Sequence, residues 1–344
     1  MTDAKRMPAA SGITDRATMR AAVLDRFGGP DVVRVDRVPT PVPAADEVLV
    51  RVHASTVSVA DHRLRSRAIP RGLSLVVAPT IGLFRPRVRV LGMDAAGVVE
   101  AVGASVTRFA PGDEVIAMLG SRMGGHAEYV TVPEGGDIAR KPAGLSFEDA
   151  AAIVFGGHTA MRYLARASFG AGSEVLVNGA SGAVGTAAVQ LAARRGARVT
   201  AVTSGRNADL VRSLGADRVI DHTREDFAAA DADRGRYDVV VEAVGNAPFS
   251  RVRHLIRPGG ALLLVIADLR GMLGAAWQSR RSGIRVTPTG DAVGPDGMER
   301  LASLAEAGDL RPVIDRVFEL DEIVEAHRYV DTGRKRGSVV LRMA

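Results

Sequence analysis

The sequence predicts an α/β protein in two parts, a β-rich region and a doubly wound region built on a parallel sheet. Residues 19–145 carry short, valine-rich strand patterns separated by Pro and Gly, which is typical of a compact β domain. From about residue 146, fully apolar strands alternate with helical patterns, which indicates a parallel sheet covered by helices on both faces. Residues 309–344 return to the first pattern. We therefore predict one domain from 19–145 and 309–344, a second from 146–308, and a flexible polar leader at 1–18.

The strands of the β-rich region are predicted at EVLVRVHAS (47–55), AAGVVEAVG (95–103) and DEVIAM (113–118). Gly and Pro residues between them, as at 112–113 and 133–136, supply the backbone conformations that turns require. In the tail, LRPVIDRVFEL precedes a short helix, DEIVEAHRYV, and a final strand, SVVLRM. This tail is expected to fold back onto the first domain.

The second region begins with the strand EVLV at 174–177 and a helix at 183–195 that ends at Gly196. A strand at 197–203 leads to a helix at 207–214, which ends at Gly215. Further strands are predicted at 218–221, 237–244 and 260–266, and IRVTP at 284–288 is a candidate sixth strand.

Composition narrows the classes of function. The chain has 45 basic residues, of which only Lys5, Lys141 and Lys335 are lysine, and the arginines are scattered. Without a basic stretch interleaved with aromatic residues, nucleic-acid binding is not predicted. The absence of cysteine excludes disulfides, thiolate zinc sites and cysteine nucleophiles. No apolar run approaches the ~20 residues of a membrane span, and residues 1–18 lack the apolar centre of a signal peptide. We therefore expect a cytoplasmic protein.

The stretch NGASGAVG, residues 178–185, is a candidate nucleotide-binding turn. Its three glycines, Gly179, Gly182 and Gly185, follow a buried strand and precede a helix, which is the context such a turn requires. Gly182 would let the backbone approach a pyrophosphate at the helix N-terminus, and Gly185 would let the helix pack closely on the sheet. A strand–helix turn without a ligand is the alternative. We interpret the region as a Rossmann dinucleotide-binding domain.

The residues after the second strand favour NADPH over NADH. An NAD site has an Asp or Glu at that point, to bind the ribose hydroxyls. Here the chain reads Thr203-Ser204-Gly205-Arg206-Asn207, with hydroxyls and a guanidinium but no acid. A guanidinium can hold a 2′-phosphate by charge-assisted hydrogen bonds. His222, after the third strand, is placed to cover the adenine or to contact the same phosphate.

A series of motifs runs in order from about residue 19 to residue 343. They include DEVLVRVHASTVSVADHRLRS, VLGMDAAGVVEAVG, FAPGDEVIA, GGHAEYVTVP, GGHTAMRYL, GADRVIDHTRED, LRPGGALLLV and RGSVVLRM. Together with the order of the parts, they resemble the medium-chain dehydrogenase/reductase superfamily, and within it the zinc-free quinone oxidoreductase-like branch. The resemblance implies a GroES-like catalytic domain beside the Rossmann domain. It also implies NADPH-dependent reduction of an activated double bond in a small molecule (a quinone, an enone or another α,β-unsaturated carbonyl) by a homodimer.

The resemblance also implies a set of cofactor contacts, which lie in the glycine turn, near the nicotinamide, along the adenosine side and in the tail. They are Thr159, Gly179, Ala180, Ser181, Gly182, Ala183, Val184, Ser204, Arg206, His222, Val244, Gly245, Ile266, Ala267 and Arg334, with Arg336 as the alternative to Arg334.

No catalytic metal is predicted, because residue types at the positions of the zinc ligands are unsuitable. Ser58 stands where the zinc-dependent members have their first cysteine, Met93-Asp94 replaces a His-Glu pair, and Phe155 replaces the second cysteine. The four-cysteine lobe of those members is also missing. A hydroxyl and one carboxylate do not make a three-ligand site.

The catalytic candidates are Ser58, Asp61 and His62 in the stretch VSVADH. Zinc-free relatives usually have Asn at the position of Ser58. The serine of this chain therefore lacks an amide that could both donate and accept hydrogen bonds. Asp61 matches the family and is either catalytic or a structural carboxylate of the loop. His62 could protonate an enolate near neutral pH, or be a solvent-facing histidine.

Two alternatives to a general reductase remain open. Ser58, His62 and the apolar segment 69–90 are compatible with a biosynthetic reductase dedicated to one bulky intermediate, and the loss of Asn is compatible with a cofactor-binding protein without redox turnover. Segments 69–90 and 268–283 match neither strand nor helix pattern. They are interpreted as covers of the active site, a shallow membrane-surface contact or packed surface loops.

Overall fold

The computed structural model of the protein describes residues 18–70, 72–229, 231–291, 294 and 296–343. The predicted flexible leader therefore lies outside the described residues, apart from Thr18, which begins the first strand. The predicted α/β fold class is confirmed. None of the helices in the described ranges has the length and apolar character needed to cross a membrane.

The first part of the chain forms mostly antiparallel strands. The elements are β1 (Thr18–Leu24), β2 (Val33–Pro39), β3 (Glu47–Thr56), α1 (Val59–Ser66), α2 (Ser74–Ile81), β4 (Asp94–Val102), β5 (Glu114–Met118), β6 (Tyr129–Pro133) and β7 (Ile138–Arg140). Strands β1 and β2 form a separate antiparallel pair, while β3, β4, β5 and β7 follow one another in a larger sheet, with β6 also paired to β3. The three strands predicted here are present, and α1 and α2 are additional.

The second part alternates strands and helices, as predicted. Its elements are α3 (Phe147–Leu164), β8 (Glu174–Asn178), α4 (Ala183–Arg194), β9 (Arg198–Thr203), α5 (Ala208–Ser213), β10 (Arg218–Asp221), β11 (Tyr237–Glu242), α6 (Phe249–Val252), β12 (Ile256–Leu264), α7 (Leu269–Ser282), β13 (Arg285–Thr287) and α8 (Gly297–Glu306). All six strands are parallel in the order β10-β9-β8-β11-β12-β13. The chain thus changes direction across the sheet between β8 and β11, which creates a crevice at their carboxyl ends. The candidate sixth strand is β13.

The tail returns to the first sheet, as the sequence predicts. It consists of β14 (Ile314–Glu319), α9 (Ile323–Asp331) and β15 (Ser338–Arg342). Val340 of β15 pairs with Thr56 of β3, so that the larger sheet has the order β14-β15-β3-β4-β5-β7. The residue boundaries proposed for the two domains remain a prediction.

Helix α3 connects the two parts through packing. It contacts β3 and β4 on one side and α4 on the other. Its buried Ala150, Ala151 and Val154 share one apolar core with Ala54 and Ala96 of the first sheet. Small side chains on all of these elements allow helix and strands to approach closely, which fixes the first sheet beside the glycine turn.

Candidate active site

A large cleft of about 1600 Å³ lies where the carboxyl ends of the parallel strands face helix α1. Its Rossmann wall includes the glycine turn and the residues after β9, β10, β11 and β12. Its opposite wall is largely apolar, with Val59, Leu64, Ile69, Leu73 and Met93 among its residues. The cleft therefore joins a site of the kind that binds dinucleotides to an apolar chamber, at the position where open α/β sheets bind ligands.

The geometry of the glycine turn agrees with the roles assigned to two of its glycines. A Cβ atom on Gly185 would lie 2.0 Å from the carbonyl oxygen of Gly179, so that only glycine permits this close packing of α4 on the turn. A Cβ atom on Gly182, the N-cap of α4, would have only one atom within 4 Å, that same oxygen at 3.6 Å. The backbone at Gly182 is therefore open to the cleft, where α4 presents its free N–H groups.

Twelve of the fifteen predicted cofactor contacts line this cleft. They are Thr159, Gly179, Ser181, Gly182, Ala183, Val184, Ser204, Arg206, His222, Val244, Ile266 and Arg334. The other three do not line it. Ala180 is fully buried behind the turn, Gly245 uses its N–H to donate to the Glu242 carboxylate, and Ala267 is packed against the core beneath the sheet edge.

Helix α1 places the three catalytic candidates away from the cleft. Asp61 is fully buried, accepts hydrogen bonds from the Ser58 N–H and hydroxyl at 2.8 and 2.5 Å, and accepts another from the Gly92 N–H at 2.9 Å. Ser58 and Asp61 form a capping box, a reciprocal pair of hydrogen bonds that starts the helix. His62 lies 2.6 Å from the Asp331 carboxylate of α9. These contacts favour structural roles, and the catalytic assignment stays a prediction without support from this geometry.

The face of α1 that does line the cleft carries Val59, Ala60, Arg63 and Leu64. In a helix, residues four apart share a face, so Val59 and Arg63 lie together while Asp61 and Arg65 lie on the other side. Arg65 is fully buried there, and its guanidinium donates to Asp331 and to the Gly28 carbonyl. Sequence reasoning missed Arg63. The capping-box spacing of Ser58 and Asp61 is the sequence signal that could have found Arg63, because it fixes where α1 begins and therefore which side chains face the cleft.

The tail contributes a second residue that sequence reasoning missed, Lys335. It lines the cleft, and its Nζ donates to the Gly337 carbonyl at 2.6 Å. Gly337 in turn donates from its N–H to the Ser181 carbonyl at 2.7 Å, which fastens the tail to the glycine turn. Burial lowers the pKa of Lys335 to about 8. The predicted neighbour, Arg334, also lines the cleft but is more exposed.

The residues at the positions of the zinc ligands either line the cleft with apolar side chains or form hydrogen bonds within the protein. Met93 and Phe155 line the cleft, whereas Ser58 caps α1. Asp94 is fully buried and accepts hydrogen bonds from Ser55 and Thr56. Burial raises the pKa of Asp94 to about 7 despite these hydrogen bonds. Within the described ranges, no group of three His, Cys, Asp or Glu residues is arranged to hold a metal ion.

A buried carboxylate holds together the loops at the switch point, the place between β8 and β11 where the chain changes direction across the sheet. Glu242, at the end of β11, accepts hydrogen bonds from the Asn178 amide at 3.0 Å and from the Val244 and Gly245 N–H groups. Burial raises its pKa, and these hydrogen bonds oppose the rise. The carboxylate ties the loop after β11 to the loop after β8, and so shapes the floor of the cleft.

The two segments without a clear sequence pattern contact each other, and the first of them lines the cleft. Segment 69–90 contains α2 and segment 268–283 contains α7. A Cβ atom on Gly72 would lie 2.8 Å from the Cβ of Leu269, so the two segments are in contact. Ile69, Pro70, Leu73 and Ile81 of the first segment line the cleft. These lining residues favour the interpretation of segment 69–90 as a cover of the site, whereas no residue of segment 268–283, all of which is described, lines the cleft.

Comparisons with known proteins agree with this architecture. Residues 44–143 match the model of the alcohol dehydrogenase GroES-like domain, and residues 214–341 match that of the zinc-binding dehydrogenase. A 2-methylene-furan-3-one reductase of Solanum lycopersicum is 30% identical over 347 residues, covering 96% of this chain and 81% of the relative. An NADPH-dependent alkenal/one oxidoreductase, chloroplastic, of Arabidopsis thaliana is 30% identical over 339 residues, covering 94% and 79%.

Among solved structures, the quinone oxidoreductase from Coxiella burnetii superposes with a TM-score of 0.84 at 27% identity, over 95% of this chain and 100% of that one. The predicted fold, with its GroES-like part and its parallel-sheet part, is therefore confirmed. The chain belongs to the quinone oxidoreductase-like branch of the medium-chain dehydrogenase/reductase superfamily and is an oxidoreductase.

Proposed function

We propose that the protein reduces the activated double bond of a quinone, an enone or another α,β-unsaturated carbonyl with NADPH and without a metal. The observation that carries the proposal is the cleft itself, in which a dinucleotide-binding turn faces an apolar chamber. The names of the relatives, an enone reductase and an alkenal/one oxidoreductase among them, support the same class of reaction. Serine, methionine and phenylalanine at the positions of the zinc ligands support a reaction without zinc.

The residues present fit a dinucleotide. The open backbone at Gly182 and the N-terminus of α4 would bind the pyrophosphate, and Val244 and Ile266 would border the nicotinamide. When bound, the reduced nicotinamide supplies a hydride. The chain's own contribution is to orient the acceptor against this ring, to exclude water with segment 69–90 and to stabilise negative charge on the carbonyl oxygen.

Purified protein, NADPH and a panel of quinones and enones test the proposal, with nicotinamide absorbance as the measurement. We expect acceptor-dependent oxidation of NADPH that is unchanged by a metal chelator. A protein that binds NADPH but oxidises it with no member of the panel would contradict the proposal.

The preference for NADPH over NADH is proposed from the charges around the adenosine end of the cleft. Arg206, Arg224, Arg334 and Lys335 line this end, against Glu225 and Asp226. Among the described residues, Arg206 donates to the Arg334 carbonyl alone, so that its guanidinium retains donors for a phosphate. Asp221, an acid at the end of β10, accepts hydrogen bonds from Thr223 and does not line the cleft.

We expect the affinity for NADPH to fall as the pH rises from 7 to 9, through the pKa of about 8 of Lys335. Because the pKa of Lys335 in the folded protein lies below that of an ordinary lysine, the cofactor-free protein loses the positive charge of Lys335 above about pH 8. The cofactor's phosphates favour the protonated amine, so binding then takes up a proton and weakens by up to about tenfold per pH unit. Fluorescence titration measures the dissociation constant at each pH. Lys335→Arg, which stays charged, is expected to give a flat profile, and a flat profile for the unaltered protein would contradict the assignment.

We also propose a homodimer, and the region of β13 and α7 supports it. Among the described strands, β13 pairs only with β12, so its outer edge can accept another strand. The adjacent α7 exposes Leu273 and Trp277, whose exposed fractions are 75% and 62%. Sedimentation analysis is expected to give twice the protomer mass, and Leu273→Asp to shift the protein toward the monomer. The cytoplasmic location stays a prediction, which cell fractionation would test.

A further inference from the structure

Arg63 differs from the other cations that line the cleft. Its side chain is half-buried, and it makes no hydrogen bond or ion pair with any residue that the structure describes. Most of the other cations of the cleft are engaged, either with carboxylates or with backbone carbonyls: Arg162, Arg206, Arg224, Arg251 and Lys335. Arg63 thus presents a complete set of guanidinium donors to the cleft.

The protein does not supply a partner for this charge. Burial lowers the pKa of Arg63, and the nearby Glu242 carboxylate opposes that change. Glu242 is already committed to Asn178 and to the N–H groups of its own loop, and it forms no ion pair with Arg63. A partly desolvated cation without a partner is unfavourable, unless a ligand brings an electron-rich oxygen to it. The side chain is therefore arranged for a ligand.

The position of Arg63 places that ligand at the reacting end of the cleft. A dinucleotide would lie across the switch point, with one half on the β8–β9–β10 side and the other on the β11–β12 side. Ser204, Arg206 and the tail would form the adenosine side, which would leave the ends of β11 and β12 for the nicotinamide. Arg63 comes from the opposite wall and is within electrostatic reach of Glu242, at the end of β11. A substrate bound against the nicotinamide is between these two walls.

We propose that the Arg63 guanidinium binds the carbonyl oxygen of the substrate and stabilises the negative charge that develops on it during reduction. This inference rests on the proposed function and identifies Arg63 as the residue that stabilises the developing negative charge. As the β-carbon gains a C–H bond from the hydride, the electron pair of the C=C bond moves to form the enolate. The negative charge collects on the oxygen beside Arg63. A proton from water then adds to the α-carbon, which completes the reduction.

The same arrangement defines the substrate class. The wall of the cleft that carries Arg63 also includes Val59, Leu64, Ile69 and Met93, which are apolar. One cation in an apolar wall fits a ligand with one electron-rich oxygen on a hydrophobic body. Ketones, aldehydes and quinones with apolar substituents match this description.

Replacement of Arg63 tests the proposal by kinetics. For Arg63→Gln we expect kcat to fall about 100-fold, the loss typical of removing one donor to a developing oxyanion, while the dissociation constant of NADPH stays within threefold. Arg63→Lys keeps the positive charge but lacks the planar pair of guanidinium donors, and it is expected to retain more of kcat than Arg63→Gln does. Arg26→Gln, at an exposed arginine outside the cleft, is the matched control and is expected to behave like the unaltered protein. Thermal unfolding of each variant establishes that it is folded.

A second readout does not depend on turnover. 4-Nitrophenol places a phenol oxygen on an apolar ring, and the visible absorbance of its anion reports its ionisation. Bound to the cofactor-free protein, it is expected to ionise about one to three pH units lower than in water, because a cation lies beside the oxygen. Arg63→Gln is expected to remove the shift, and Arg26→Gln to leave it unchanged.

The two readouts separate this inference from the proposed function. Turnover of enones by the unaltered protein, with Arg63→Gln within threefold of it, would overturn the role of Arg63 alone. Failure of 4-nitrophenol to bind, or the same ionisation in both proteins, would also overturn it. If the ionisation of bound 4-nitrophenol were shifted but the protein reduced no acceptor, the anion-binding role of Arg63 would be supported and the proposed reductase activity would be contradicted.

Discussion

Replacing Gly185 with valine is expected to lower the free energy of unfolding by about 1–3 kcal/mol and to remove most of the cofactor affinity. A Cβ atom at this position would lie 2.0 Å from the Gly179 carbonyl oxygen and 2.8 Å from the Ala180 Cα, both of them backbone atoms. Because backbone cannot move aside as a flexible side chain can, α4 must move away from the turn, at the cost typical of overpacking. The N–H groups that face the pyrophosphate move with it. We expect kcat/KM for NADPH to fall about 100-fold or more, as for other misplacements of about 1 Å.

Gly170→Val is the matched control, because a Cβ atom at Gly170 would meet nothing within 4 Å. Urea denaturation gives the free energy of unfolding, and fluorescence titration gives the affinity for NADPH. If Gly185→Val were as stable and bound NADPH as tightly as the control, the close packing of α4 on the turn would not be required for the site.

Replacing Arg206 with alanine is expected to lower kcat/KM for NADPH by about 10- to 100-fold and to leave that for NADH nearly unchanged. A hydrogen bond to a charged group contributes about 1.5–3 kcal/mol, and only NADPH carries the 2′-phosphate that would receive it. Arg206 lines the cleft beside Ser204, at the end of β9. Steady-state kinetics with both cofactors measures the ratio.

Arg212→Ala controls for the loss of one positive charge, because Arg212 pairs with Asp209 on the exposed face of α5 and does not line the cleft. Its NADPH-to-NADH ratio should match that of the unaltered protein. Equal losses with both cofactors in Arg206→Ala would mean that Arg206 acts on a part of the dinucleotide that both share.

The fold was predictable because its signals are local and repeated. Fully buried strands such as Val175–Val177 are uniformly apolar, and glycines at 196 and 215 end the helices that follow. The return of the tail to the first sheet followed from a change of pattern alone. Helices α1, α2, α3, α6, α7 and α8 were not predicted. In α1 and α7, which are 8 and 14 residues long, arginines alternate with apolar residues and obscure the helical period. Helix α2, also 8 residues long, has no arginine and contains Pro79, a residue that argues against a helix.

The residues that line the cleft on the Rossmann side were predicted more fully than those on the side of α1, for a physical reason. The glycine turn requires particular backbone geometry at Gly179 and Gly185, which the sequence records directly. The substrate wall depends on the rotational phase of α1. Asp61 matches the family's motif and Ser58 departs from it, but the mutual hydrogen bonds of these two residues turn Arg63 toward the cleft and His62 toward Asp331. Likewise, Arg334 and Lys335 are adjacent in sequence, and only the tail's attachment at Gly337 distinguishes their environments.

The measurement that tests the central claim most directly is transfer of deuterium from NADPH to a reduced enone. NADPH labelled at C4 on one face or on the other is incubated with the protein and an apolar enone, and the product is analysed by mass spectrometry. We expect one of the two labelled cofactors to deliver its deuterium to the β-carbon of the product, and the other to retain it. A product without deuterium from either cofactor, or NADPH that binds and is not oxidised, would contradict the account.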